Sequence, residues 1–373
     1  MSSYRFKNER KYKRRRKLAI ATVTLSVLAI LMAGYLFMTK DKATGVVNQG
    51  KQAKTSSSTS VTSSTSSTST DVSTTGTSAT QQSADTSAAA STSDSNASGV
   101  ETKDHGYLPK VGTVAKSGKT NELKSLISNY ISKLPGKYGV TFIDLATGEM
   151  VNVNDKIEYI AASTSKLPVN VLLYKNIEAG KVSLDQKLVY QKEDLEPGTG
   201  SIQRSPFGTE YTVRETSKRA IRQSDNCGVN MLIRLLGIEN VRNYIDEVGG
   251  QVHYGKTHRS CPYDMAQIAQ DLYKLYLNNE NVYGELLNNM ENTDWHDRID
   301  ANLPKEVKVA HKIGNQLSTR NDIGIVFAAH PYVLSIMTAN VNEDAACKSI
   351  ADLSSKIYDF EEAYASQTPV KAK

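Results

Sequence analysis

A chain of 373 residues with a formal charge of +6 has the length for two ordinary domains, but its composition is too uneven for that. Residues 1–17 hold nine Lys/Arg and one Glu, net +8, which leaves the rest of the chain at net −2. The basicity belongs to one tail, so no nucleic-acid partner is expected once that tail has another explanation.

The next segment supplies it. Residues 18–38 (LAIATVTLSVLAILMAGYLFM) are uncharged and as long as a helix that crosses a hydrocarbon core. Tyr35 near the far end suits the interface, and the positive tail stays on the cytoplasmic side. The remainder is then extracellular. The apolar run is longer than a signal-peptide core and no clear A-x-A cleavage site follows, so an uncleaved single-pass anchor is expected. Residues 39–114 are rich in Ser and Thr with few large apolar residues. Such a stretch cannot offset its ordering entropy and reads as a disordered spacer. Residues 115–367 remain as one well-buried domain, followed by a short tail at 368–373.

Within that domain, Asn121 to Leu134 (NELKSLISNYISKL) has helical spacing and stops at Pro135–Gly136. Tyr138–Leu145 alternates like a strand, Ala146–Gly148 makes a turn, and Met150–Val153 begins a second strand, which together predict a hairpin. A strongly apolar helix is expected to begin close to Ser163, with Pro168 in its first turn, and to end at Ala179–Gly180. Helical patterns recur at Val213–Gln223, Gly228–Leu236, Val241–Val248 and Pro262–Asn278. Strands return at Val307–His311, Gly324–Ala329 and Tyr332–Val341, and a last helix covers Ala346–Tyr364. Strands at both ends with helices between predict an α+β head, an α/β sandwich. Its antiparallel sheet is built from the first hairpin and the last three strands and flanked by helices, with an all-helical subdomain.

Three cysteines (Cys227, Cys261 and Cys347) are an odd number for a disulfide framework. Cys227 and Cys261 can pair, but buried free thiols are the favoured reading. No C-x-x-C or His-rich ligand spacing occurs, so neither metal nor cofactor is expected.

Three short patterns carry chemistry. Ser163-Thr-Ser-Lys166 puts a hydroxyl and an amine three residues apart on one helical face, where a lysine with a lowered pKa can act as base. Ser224-Asp225-Asn226 follows a predicted helix, and Lys312-Ile313-Gly314 closes a predicted strand. Each alone reads as a cap, a turn or a surface lysine. In this order and context they resemble the active-site set of class A β-lactamases and penicillin-binding proteins. The likeness spans the head and takes in Gly200-Ser201-Ile202-Gln203 and Pro262-Tyr263-Asp264-Met265.

The resemblance implies roles. Ser163 would attack the carbonyl of a β-lactam or a D-Ala-D-Ala-type stem peptide of peptidoglycan. Lys166 would take its proton and Ser224 would pass one to the departing nitrogen. Asn226 would hold the substrate amide. Lys312, with Gly314, would receive the substrate carboxylate, and Lys312 would depress the pKa of Lys166. The backbone N–H groups of Ser163 and Asn315 would form the oxyanion hole.

Two departures from the family pattern stand out. The interval GGQVHYGKTHRSCPYD contains no Glu, whereas class A enzymes place there the carboxylate that activates the deacylating water. Glu239 and Glu247 fall on predicted helices instead. Long-lived acylation is therefore expected; a true β-lactamase using another base, such as His253 or His258, and a non-catalytic wall- or partner-binding head are the alternatives. Ile313 replaces the family's Thr or Ser, and Arg320 is the candidate to compensate as a carboxylate partner.

Overall fold

The computed structural model describes residues 118–251 and 258–366. The basic tail, the apolar 18–38 stretch, the whole Ser/Thr-rich spacer, His253 and the 368–373 tail lie outside the described residues. Among the described residues no helix is long and apolar enough to cross a membrane.

In chain order the elements are α1 (Thr120–Ile131), β1 (Lys137–Asp144), β2 (Met150–Val153), β3 (Tyr159–Ile160), a 3-10 turn (Ala162–Ser165) and α2 (Lys166–Glu178). Next come β4 (Lys187–Val189), β5 (Glu210–Thr212), α3 (Val213–Arg222), α4 (Asn226–Leu236), α5 (Ile238–Glu247) and β6 (Arg259–Ser260). The chain then forms α6 (Pro262–Asn278), α7 (Glu280–Glu291), β7 (Lys308–Gln316), β8 (Thr319–Phe327), β9 (Tyr332–Ala339) and α8 (Glu343–Ala365).

The main sheet runs β2-β1-β9-β8-β7 and every pairing is antiparallel. It joins the first hairpin to the last three strands, as the sequence pattern predicted. Successive side chains of a strand face opposite sides, and both sides are apolar here. On β9, Tyr332, Leu334 and Ile336 pack with Leu123 and Ile127 of α1 and Ile350 and Ile357 of α8. Val333 and Met337 of the same strand pack with Met265 and Leu272 of α6. The sheet is thus the middle layer of a sandwich, with apolar side chains packed on both of its faces.

Helix α2 lies inside the helical half. Leu167, Val169, Val171, Leu173 and Tyr174 are all buried, and a helix apolar on every side belongs in an interior. Each such Leu or Val contributes about 1.5–3 kcal/mol, so the turn that precedes α2 is held by a rigid support. Pro168 sits in the first turn, where its missing N–H costs no helical bond.

Two strand boundaries and one helix near the site depart from the sequence reading. β7 does not stop at His311; it runs on to Gln316, so Lys312-Ile313-Gly314 lies within the strand. Unbroken pairing with β8, from Lys308↔Phe327 to Gln316↔Thr319, carries it through. β8 starts at Thr319, since Arg320, Asn321 and Asp322 complete that ladder although they lack strand-type side chains. Helix α7 was not anticipated, because ENVYGELLNNME mixes Gly and Asn into its apolar spacing. All three thiols are free, and Cys227 and Cys261 are buried.

Candidate active site

Ser163 lies in the 3-10 turn that leads into α2, and Lys166 is the first residue of that helix. The turn is fixed from outside. Asn321 of β8 donates its side-chain amide to Ile160 O (2.8 Å) and Ala161 O (3.1 Å). Ala162, immediately before the serine, has φ +49°, a left-handed conformation costing about 1–3 kcal/mol in a non-glycine residue.

Gly314 completes the clamp. A Cβ there would lie 2.7 Å from Ala161 O and 3.0 Å from Thr164 Cγ2. Only glycine lets β7 press this closely against the serine turn.

Lys166 is 3% exposed. Its Nζ donates to Asn226 Oδ1 (2.7 Å) and Ser163 Oγ (2.8 Å), and to O (2.9 Å) and Oγ (3.2 Å) of Ser224. Burial pushes its pKa down to about 8, against the opposing pull of the Glu196, Asp225 and Cys227 charges. Burial is the leading cause, whereas the sequence reading had assigned the depression to Lys312. The repulsion between the two ammonium groups instead appears at Lys312, which burial and the charge of Lys166 together hold well below the usual lysine range.

Ser224 and Asn226 reach the lysine because Asp225 anchors the chain between α3 and α4. The Asp225 carboxylate caps α4 through Gly228 N (2.9 Å) and accepts from Ser201 N (2.6 Å) and Ile202 N (2.8 Å). Gly200 has φ +98°, and a Cβ there would fall 2.1 Å from Asp225 Cγ. The Gly200-Ser201-Ile202 segment is therefore the cradle of this carboxylate. Ser224 itself has φ +52°, a second strained residue turned toward the lysine.

Ser163 lines two cavities. One is an open cleft of about 700 Å³, walled by Glu196, Asn230, Arg242, His258 and Arg259 among others. The other, about 170 Å³, is lined by Thr199, Ser224, Asn226, Trp295, Ile313 and Asn315. Lys312 is fully buried, donates to Ile313 O at 3.0 Å and has its ammonium 5.7 Å from the centre of the Trp295 ring.

Arg320 does not join these residues, which corrects the expectation that it meets a substrate carboxylate. It pairs with Glu343 at the start of α8, and its other nitrogen donates to Gln316 O and Thr319 O. The guanidinium that does come to the site is Arg298, fully buried, which donates to Asn315 Oδ1 (2.6 Å) and Asn321 O (2.9 Å). Sequence reading missed Arg298, Thr199, Trp295 and Asn321, since none belongs to a motif. Thr199 donates to Ser224 O at 2.6 Å, and its place just before Gly200-Ser201 was the only available signal.

A lysine near pKa 8 in hydrogen-bond contact with two serine hydroxyls can take a proton from one and return it through the other. That is the chemistry of acyl transfer.

Comparison with known proteins agrees. A family model described as the beta-lactamase enzyme family matches residues 121–360. Beta-lactamase VEB-1 of Pseudomonas aeruginosa is 22% identical over 281 residues, covering 66% of this chain and 93% of that protein. Beta-lactamase 3 of Bacillus cereus is 30% identical over 237 residues, covering 56% of this chain and 71% of its own. Among solved structures, a leucine-to-glutamate mutant of PBP-A, captured as an acyl-enzyme complex with penicillin G, is 25% identical. It superposes with a TM-score of 0.61, covering 65% of this chain and 97% of that one. The chain belongs to the beta-lactamase enzyme family and is a serine hydrolase of the β-lactamase and penicillin-binding type.

Proposed function

We propose that this protein is a membrane-anchored, extracellular enzyme acylated at Ser163 by β-lactams or by D-Ala-D-Ala-type peptides of the cell wall, and slow to release the acyl group. The observation that carries the reading is the position of Lys166 Nζ, buried and within hydrogen-bond reach of both Ser163 Oγ and Ser224 Oγ.

In the proposed step Ser163 Oγ bonds to the carbonyl carbon and its proton passes to Lys166. The carbon–nitrogen bond breaks, and the departing nitrogen takes a proton from Ser224, which recovers one from Lys166. Backbone N–H groups of Ser163 and Asn315 face the oxyanion, a contribution typically of about 10²–10³ in rate per donor. The Asn226 amide holds the substrate, and Lys312, whose lowered pKa an arriving carboxylate would raise again, provides positive charge for that carboxylate. Arg298, through Asn315, fixes the strand that carries one oxyanion donor.

Slow release follows from the cleft wall opposite Lys166. No Glu occurs between Gly249 and Asp264, so the water that would free the acyl group lacks its usual base. The penicillin G acyl-enzyme of the PBP-A mutant supports the acylation half of this reading. The basic tail and apolar 18–38 stretch support a single-pass anchor with the head outside, and the Ser/Thr-rich spacer gives that head reach toward the wall.

The test is intact-mass analysis of the full-length chain after exposure to penicillin, followed over time. A one-to-one adduct that maps to Ser163, is missing in Ser163→Ala and decays over many minutes is the expected result. No adduct in either protein overturns the proposal. A second reading, turnover as a β-lactamase, draws on His258, which is exposed and lines the cleft. Sustained hydrolysis of a chromogenic cephalosporin, rather than one burst, would favour it.

A further inference from the structure

His311, the residue before Lys312 on β7, is fully buried. Both carboxylate oxygens of Asp322 lie 3.0 Å from its Nδ1. Asp322 is held in turn by Ile299 N at 3.0 Å. This pins the imidazole with Nε2 aimed away from β8, toward Asp300, whose Oδ2 is 3.6 Å distant. That separation is too long for a hydrogen bond, and His311 Nε2 and Asp300 Oδ1 are both buried with no hydrogen-bond partner among the described residues. His296, four residues before Asp300 in the loop between α7 and β7, directs Nδ1 to the same carboxylate. The two imidazole rings stand 6.0 Å apart between centres. One ligand atom from each of His296, Asp300 and His311 lies within 4.8 Å of the other two.

We propose that His296, Asp300 and His311 bind a divalent transition-metal ion of the zinc class, with Asp322 as the carboxylate that orients His311. Two imidazoles and a carboxylate suit such an ion better than calcium or magnesium. Zinc–ligand bonds of about 2.0–2.1 Å in tetrahedral geometry put ligand atoms about 3.4 Å apart, close to the separation between His311 and Asp300. The His296 side chain is 54% exposed, so its ring is free to adjust while the buried pair stays fixed. A carboxylate on the far nitrogen of a ligand histidine sets its tautomer and raises its basicity, which is the relation of Asp322 to His311. Three protein ligands leave a fourth position for water. The spacing 296, 300, 311 matches no simple metal motif, so the proposal departs from the sequence expectation of no metal site.

The ion would bind beside the active site but outside it. His296 follows Trp295 and His311 precedes Lys312, and Trp295 and Lys312 face each other in the site. Ligation ties together the two segments that make this contact.

Trp295 is the only tryptophan in the chain and reports directly on its neighbour. The full-length chain, prepared without a histidine tag, is titrated with cobalt(II) while Trp295 emission and visible d–d absorption are followed. One equivalent should quench the emission, develop the absorption and be displaced by zinc(II). His296→Ala, an exposed change that leaves the fold intact by circular dichroism, should weaken binding tenfold or more. Asp322→Asn should weaken it about 10–100-fold. Two results overturn the proposal: no saturable signal at millimolar cobalt, or a His296→Ala protein that titrates like the parent. Either makes the cluster a hydrogen-bonded ion triad only. The readouts need no reaction at Ser163, so this proposal and the acylation reading fail separately.

Discussion

Two walls of one cleft differ in how completely they are built. On the side of α2 and α4, Lys166 is buried, bonded to both serines and to Asn226, and braced by the Asp225–Gly200 cradle. On the side of β6, the exposed His258 and the Arg259 next to it line the cleft, and no Glu occurs between Gly249 and Asp264. In the proposed function the first wall serves bond formation to the enzyme and the second would serve release from it. A fold that preorganises one step need not preorganise the next, because each depends on different side chains held by different segments.

The largest expected break in this comparison is loss of the base. Lys166→Ala should slow acylation by about 10²–10⁴, the usual contribution of a positioned general base, measured by the rate of adduct formation. If acylation falls less than tenfold, the α2 wall is not the machinery described.

pH sharpens the same point. The free-base form of Lys166 is required, and with its pKa near 8 the acylation rate should climb about tenfold per pH unit below that value and level off above it. A rate that falls as pH rises from 6 to 8 would point to a different base.

Gly200→Ala tests the support rather than the chemistry. The added methyl meets Asp225 at 2.1 Å in a backbone with φ +98°, so a stability loss of about 2 kcal/mol or more is expected in urea titrations. Acylation should slow as Ser224 and Asn226 shift. A neutral result would show that the cradle can relax.

The smallest effect is expected on the other wall. His258→Ala should leave the acyl-enzyme lifetime within about twofold, as for a surface histidine. A lifetime tenfold longer would make His258 the deacylation base and remove the contrast between the walls.

Much of this site was legible because its members sit in short local patterns. Ser163 and Lys166 are three residues apart, Ser224 and Asn226 flank one cap residue, and the membership of the sheet, though not its strand order, followed from where the strand-like runs fell. Arg320 was misjudged for the opposite reason: its partner, Glu343, lies at the start of a distant helix. Asn321 holds the serine turn from 160 residues away, Arg298 bonds Asn315 and Asn321 from a separate loop, and no periodicity announces such contacts.

By itself the sequence determined the fold class, the three motifs and the missing Glu between Gly249 and Asp264, all set by local spacing and side-chain type. The tertiary structure alone decided how far Lys166 is desolvated, which arginine approaches Asn315, and that His296, Asp300, His311 and Asp322 converge. Desolvation and convergence arise only when separate elements pack together, and that packing is a sum over contacts distant in sequence.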